Sequence, residues 1–472
     1  MARLKILFVA SECVPIVKTG GLGDVVGALP PALRARGHDV RIVLPRHRQA
    51  KGYPAEVLPG PLGVPVGGGT CWTGVYRAEI AGGVPVYLLE HDALFDREGV
   101  YGDASGEFGD SLWRFLFLSR GALELCRHVD FEPDVLHAHD WQAALVPVLN
   151  PPDGPATVLS VHNLGYQGIF GVGELPRMRL TAEQERDVEY FGNVNLLKAG
   201  LTRATLLSTV SPRYAREIQS ADGGAGLDGL LRQRRRDLVG ILNGIDEARW
   251  NPATDLHLPA TYDPDDLEGK ARCKAALQQE LGLPVRPDVP LVGLVSRLAE
   301  QKGIDIFVDA LGYLAGLDLQ FAVLGSGLAW AEQVFERLSA TTSHFRARIG
   351  IDDALSHRIY AGADLFAVPS RYEPCGLTQL YSQRYGTVPV VRGVGGLDDT
   401  VDHEVSGFKF QELSGRALAL SLAWAADCYR HRPEHFQQMQ RFSMRKRMGW
   451  NRVAAQYDAL YRLAIARRRG RL

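Results

Sequence analysis

Cysteine is scarce in this 472-residue chain, and the six present (Cys13, Cys71, Cys126, Cys273, Cys375 and Cys428) form no C-x-x-C pair. That spacing signals neither a zinc ribbon nor a disulfide framework, and it fits a reducing compartment. No apolar run approaches the ~20 residues of a membrane span. The run at residues 4–10 is too short for a signal-peptide core and reads as a first buried strand. A cytoplasmic location without a membrane partner is expected. Charge of one sign is also missing: 53 basic residues face 54 acidic ones, for a net charge of −1. No nucleic-acid partner is implied, and the short basic tail at 467–471 reads as a solvated helix end. Lysine is rare, nine residues among many arginines, so a lysine placed at a glycine loop carries weight.

The length calls for two or three domains. Strand-like runs at 4–10, 39–44, 84–89, 134–138 and 157–161 alternate with helical stretches at 111–128 and 141–149. After a Pro-rich join at 251–264 the pattern restarts, with strands at 291–296, 319–324, 365–369 and 388–391 and helices at 304–315, 329–338 and 376–385. Such alternation argues for parallel sheets with helices on both faces. Residues 450–466 have helical spacing through Val453, Tyr457, Leu460 and Tyr461.

Two glycine turns nearly repeat each other in opposite halves: Lys18-Thr19-Gly20-Gly21-Leu22-Gly23-Asp24 and Gly395-Gly396-Leu397-Asp398. A Gly-Gly turn ahead of a helix lets backbone N–H groups approach an anion, and a helix over 25–36 would add its dipole. Lys18 there is a credible phosphate contact. Arg297 and Lys302 follow the strand at 291–296, at the edge where open α/β sheets bind ligands, and two cations there can neutralise a diphosphate without a metal. Glu373 follows the strand at 365–369 and can accept hydrogen bonds from sugar hydroxyls. Gly376-Leu377-Thr378 opens a helix whose N–H groups suit phosphate. Cys375 reads as buried filler, with no histidine placed to activate it.

His137-Ala138-His139-Asp140 ends another strand. Alternation puts His137 and His139 on one face and Asp140 on the other, and a third metal ligand at suitable spacing is missing. Asp140 fits a sugar-hydroxyl acceptor. His162 and Asn163 end the strand at 157–161, where His162 reads equally as a core histidine and as a site residue.

Together these segments resemble bacterial glycogen synthases and plant starch synthases. The pieces that carry the resemblance are Lys18-Thr19-Gly20-Gly21-Leu22, His137-Ala138-His139-Asp140-Trp141, Val161-His162-Asn163-Leu164, Leu242-Asn243-Gly244-Ile245-Asp246, Ser296-Arg297-Leu298, Gln301-Lys302-Gly303 and Glu373-Pro374-Cys375-Gly376-Leu377-Thr378. The resemblance implies an α/β chain of GT-B fold: two Rossmann-like domains with parallel sheets facing across a deep cleft. It assigns 1–250 to a first domain for acceptor and part of the donor, 251–449 to a donor-binding domain, and 450–472 to a helix packing back on the first. The implied reaction transfers glucose from ADP-glucose to the non-reducing end of an α-1,4-glucan such as glycogen, with retention and with neither metal nor organic cofactor.

By the same resemblance Lys18, His162, Arg297, Lys302 and Glu373 form the catalytic set. Gly20, Gly21, Asp24, Asp140, Asn163, Asn243, Cys375, Gly376, Leu377 and Thr378 bind donor or substrate. The chain departs from the wider set of retaining GT-B enzymes at Tyr381, where they often carry a second glutamate, and in this it matches the glycogen and starch synthase branch. It departs from its relatives at Leu328, where an acidic residue is common, at Ala225, where an aromatic is usual, and at Ile351, where an aromatic often stands. The alternatives are the same reaction from UDP-glucose, and a catalytically silent glucan-binding protein on the same fold.

Overall fold

The computed structural model describes residues 2–103 and 106–470, so Arg471 of the basic tail lies outside it. The chain forms two compact units. The first runs to Gly244 and takes in the segment from Trp450 onward; the second spans Ile245–Gly449.

The first unit is built on a ten-stranded sheet. Its strand order is Leu238–Gly240, Leu206–Thr209, Ala156–Val161, Val135–His139, Lys5–Val9, Asp39–Pro45, Val84–Glu90, Gly69–Ile80 and Glu56–Val57, with Leu62–Val66 paired onto Gly69–Ile80. From Leu238–Gly240 across to Val84–Glu90 the ladder is parallel. The strands at the far edge are antiparallel, so the parallel sheet expected from the sequence carries an antiparallel extension at one edge. The cause is local: Ala81-Gly82-Gly83 turns the chain straight back, with Gly82 and Gly83 at φ of 73° and 70°. A return that short allows only antiparallel pairing.

The central strands are buried along their length, as continuous apolar runs covered on both faces must be. One face packs on the helix Ser111–His128. The other packs on the helices Gly21–Ala35 and Trp450–Arg468. The helix Gly21–Ala35 starts four residues earlier than the expected one and includes Pro30 and Pro31. The expected helix at 141–149 is two short pieces, Asp140–Ala143 and Leu145–Leu149, meeting at Ala144. The last helix places Trp450, Val453, Tyr457, Leu460 and Tyr461 in the core of the first unit. There the Tyr461 hydroxyl lies 2.8 Å from His137 Nδ1, and His137 Nε2 lies 2.7 Å from Ser160 Oγ.

The second unit holds a six-stranded parallel sheet in the order Phe345–Ile349, Gln320–Gly325, Leu291–Val295, Leu365–Val368, Val388–Arg392 and Phe408–Phe410. The units divide at Gly244/Ile245, ahead of the Pro-rich segment read as the join. Residues 251–264 are an irregular strap lying on the second unit: the Tyr262 hydroxyl donates to the Tyr385 carbonyl at 2.8 Å. Trp250 is clamped between His357 and Tyr381, with ring centroids 4.0 and 3.8 Å away. Prolines mark irregular backbone, and here that backbone is packed.

The Tyr461 contact has a measurable consequence. Tyr461→Phe removes the hydrogen bond and leaves His137 Nδ1 buried without a partner, a loss of about 1–3 kcal/mol. Urea unfolding of the first unit's transition should show a lower midpoint with an unchanged slope.

Candidate active site

Both sheets reverse their order beside a central strand. In the first unit the chain steps from Lys5–Val9 outward to Asp39–Pro45 and later returns to Val135–His139 on the other flank. In the second, Leu291–Val295 is followed outward by Gln320–Gly325, and Leu365–Val368 returns on the opposite flank. Loops leaving the carboxyl ends on either side of such a reversal diverge and open a crevice, the usual ligand position in open α/β sheets.

In the second unit that crevice holds Lys302 and Glu373. The Lys302 ammonium lies 2.5 Å from Glu373 Oε2, and the Ser370 hydroxyl donates to the same oxygen at 3.0 Å. The Glu373 side chain is 8% exposed. The two loops interlock through the backbone: Arg371 N–H donates to the Gln301 carbonyl at 2.9 Å. Gly303, at φ 65°, passes so close to Pro369 that a Cβ would lie 2.1 Å from its carbonyl oxygen. Only glycine permits that approach in that backbone region. Arg297 is exposed and has no side-chain hydrogen bond or ion pair among the described residues.

Past Glu373, Cys375 is buried, and Gly376 takes φ 72° to lead into the helix Thr378–Arg384. Among the described residues the N–H groups of Gly376, Leu377 and Thr378 donate to no acceptor of the chain. They join Lys302 and Arg297 as anion-directed groups.

The second glycine turn is committed elsewhere. Gly396 N–H donates to the Glu373 carbonyl at 3.0 Å, and Leu397 N–H to the Val394 carbonyl. A Cβ on Gly396 would lie 2.1 Å from the Cys375 carbonyl oxygen. This glycine pair therefore seats the Glu373 loop rather than presenting those donors outward.

The first glycine loop already holds an anion, one supplied by the protein. Glu12, buried at the end of the first strand, accepts from the Thr19 and Gly20 N–H groups, the Thr19 hydroxyl and the Tyr101 hydroxyl. The Gly21 and Leu22 N–H groups, in the first turn of the helix, donate to no acceptor among the described residues. Lys18 is 48% exposed and pairs with Asp24 at 2.7 Å. An exposed pair of this kind is worth at most about 1 kcal/mol, so a phosphate can take the lysine over.

Across the reversal, Asp140 ends its strand at φ 54°, a left-handed conformation that aspartate tolerates better than most residues. Its Oδ1 accepts the His162 N–H at 2.6 Å. Burial pushes the Asp140 carboxyl up to about 7, with the Glu12 charge adding to the rise and the His162 and Asn163 N–H groups opposing it. His162 Nε2 lies 2.9 Å from His139 Nδ1, and burial holds His162 down at about 4. His137 and His139 share one face, their ring centroids 4.1 Å apart, as strand alternation requires. Asn163 Oδ1 accepts the Gly165 N–H at 3.0 Å, which shapes the loop. Asn243, after the strand Leu238–Gly240, has a buried Oδ1 with no partner among the described residues.

The structure thus groups Lys18, Gly20, Gly21, Asp24, Asp140, His162 and Asn163 at one sheet edge of the first unit, with Asn243 near its end. It groups Arg297, Lys302, Glu373, Cys375, Gly376, Leu377 and Thr378 at one edge of the second. Ile351 stands on the loop after Phe345–Ile349 and is 97% exposed. Sequence reasoning passed over Glu12, Tyr101 and Ser370. Glu12 comes three residues after the first strand, the same strand-end signal that selected the others. Tyr101 comes from a loop and carried no signal.

The chain is similar to known proteins along its whole length. Residues 5–233 match the starch synthase catalytic domain and residues 289–427 the glycosyl transferases group 1 model. The chain is 46% identical to glycogen synthase 1 of Geobacter metallireducens over all of this chain and 98% of that protein. It is 49% identical to a glycogen synthase of Anaeromyxobacter dehalogenans over 97% of this chain and 99% of that one. Among solved structures, the catalytic domain of starch synthase IV from Arabidopsis thaliana, bound to ADP and acarbose, superposes with a TM-score of 0.90 at 33% identity, covering 98% of this chain and 100% of that one. This chain belongs to the glycogen and starch synthase family, hexosyltransferases of GT-B fold.

Proposed function

We propose that this chain extends an α-1,4-glucan such as glycogen with glucose taken from ADP-glucose, retaining the anomeric configuration. The observation that carries the reading is the second unit's crevice: Lys302 bound to a buried Glu373, with Arg297 and three backbone N–H groups left for an anion. That set suits a sugar diphosphate. The similarity to a starch synthase solved with ADP supports adenine as the base.

The chemistry follows from the charges. Breaking the bond between glucose and diphosphate puts negative charge on the leaving oxygen, and Arg297, Lys302 and the N–H groups of Gly376, Leu377 and Thr378 stabilise it there. Glu373 keeps the Lys302 ammonium fixed, which lowers the cost of reorganisation. Attack comes on the same face through an oxocarbenium-like state. The acceptor 4-hydroxyl passes its proton to the departing phosphate oxygen, so no protein nucleophile is consumed and catalysis rests on positioning. Asp140, the His162 and Asn163 pair, and Asn243 have the acceptor and donor atoms that sugar hydroxyls need. Lys18 and the Gly20-Gly21 turn complete the anion-directed set of the first unit.

The deciding experiment supplies purified protein with glycogen and either ADP-glucose or UDP-glucose, with no added metal, and follows release of nucleoside diphosphate. The expected result is faster release from ADP-glucose, with labelled glucose entering glycogen. Preference for UDP-glucose would correct the donor. No release from either would favour the silent glucan-binding reading.

Removal of either cation tests the diphosphate assignment. Lys302→Ala and Arg297→Ala should each lower kcat by about 10²–10³-fold. A variant with raised KM and unchanged kcat would show a cation used for ground-state binding alone.

Asp140 makes stability depend on pH. In the folded chain it keeps its proton up to about 7, against an ordinary value of 3.8. The folded state therefore binds more protons between those values, and the associated stability is full below the lower one and lost as pH rises through the upper. Asp140→Asn does not titrate. Its stability relative to the parent should rise on the order of 2–4 kcal/mol from pH 4 to pH 8 and then level off. Urea unfolding at four pH values across that range measures it; a constant difference would contradict the raised value.

A further inference from the structure

The strap over the second unit carries a cluster that the reaction does not use. The helix Asp353–Gly362 begins with Asp353 and sets His357 one turn later on the same side. The strap brings His257 beside them. Each of the three offers one ligand atom, and these atoms lie within 4.8 Å of one another.

His357 is the informative member, at 1% exposure. Its Nδ1 lies 2.7 Å from Asp255 Oδ2. A carboxylate oxygen only accepts, so Nδ1 carries the hydrogen and Nε2 keeps its lone pair. Nε2 is buried and has no hydrogen-bond partner among the described residues. Asp255 is fixed in turn by the Tyr385 hydroxyl and by the His257 N–H at 2.9 Å. The Trp250 ring lies flat against the imidazole, centroids 4.0 Å apart and planes 7° from parallel. A carboxylate behind one nitrogen and a bare lone pair on the other is the arrangement that orients a metal-bound histidine.

We propose that His257, Asp353 and His357 form a binding site for a divalent transition-metal ion, with zinc the best match to two imidazoles and one carboxylate and water completing a tetrahedral shell. Bonds of about 2 Å require ligand atoms closer than they now stand. His257 and Asp353 are both exposed side chains that can rotate to close that distance, while His357 is buried and stays fixed. Arg249 Nη2 lies 2.9 Å from both Asp353 oxygens and is the ion's competitor. That pair is exposed on both sides, 45% and 58%, and therefore weak. The bound ion would staple the strap to the helix.

The full-length protein, stripped with chelator and dialysed, is titrated with cobalt(II) and then zinc. One equivalent of cobalt should bind, giving visible absorption bands of a nitrogen- and oxygen-ligated tetrahedral centre and quenching tryptophan emission. Zinc should displace it and raise the Tm. His257→Ala and Asp353→Asn, both surface changes, should weaken binding at least tenfold with circular dichroism unchanged, whereas Arg249→Ala should tighten it. Absence of one-to-one binding, or binding equally tight in His257→Ala, would overturn the proposal.

Discussion

A parallel sheet covered by helices on both faces leaves its polar side chains one way out: the edge where the strands end. The groups placed in the candidate active site obey that constraint. Glu12, Asp140, His162 and Asn163 sit at the carboxyl ends of three adjacent strands in the first unit, and Arg297, Lys302 and Glu373 at those of two adjacent strands in the second. In both sheets the central strand is where the order reverses, so the loops on its two sides part and leave room for a ligand. Because the strands are buried on both faces, a one-residue slip would swap every side chain between two differently packed cores. The loop starting points are fixed in consequence.

The acidic groups at these edges are managed in different ways. Glu12 is surrounded by two backbone N–H groups and two hydroxyls, an anion site already filled from within. Glu373 has an ammonium and a serine hydroxyl. Asp140 has backbone donors but too little compensation for its burial, so its proton is held more tightly. These environments prepare one carboxylate to shape a loop, one to hold a cation, and one to exchange hydrogen bonds with a polar ligand.

Packing around Trp250 ties the second unit's irregular segment to its helices. The indole lies between His357 and Tyr381, and Tyr381 belongs to the helix opened by Gly376-Leu377-Thr378. Tyr381 is the position at which the chain departs from the second glutamate of wider retaining enzymes. Its place in this stack gives the aromatic ring a structural use: it braces the helix whose first N–H groups face the proposed phosphate site.

The central strands, the helices that cover them and the loops bearing Lys18, Asp140, Arg297, Lys302 and Glu373 were legible in the sequence. Apolar runs broken by glycine or charge are a local signal, and a strand that must be buried announces its own end. The antiparallel edge of the first sheet was not legible: its long strand Gly69–Ile80 is only half buried, and its partners Leu62–Val66 and Glu56–Val57 run to five and two residues. The division at Gly244/Ile245 was hidden as well: the prolines at 252, 259 and 264 report backbone irregularity, while membership of a unit depends on where Trp250 stacks.

The sequence by itself determined which residue types stand at each strand end. Only the tertiary structure decided how they pair: that the first glycine loop's donors go to Glu12, that Gly396 seats the Glu373 loop, that Lys302 meets Glu373, and that His257 reaches a helix 96 positions on, at Asp353. Such pairings join residues far apart in the chain, and no local preference encodes a distance between two strands until the sheet has set their order.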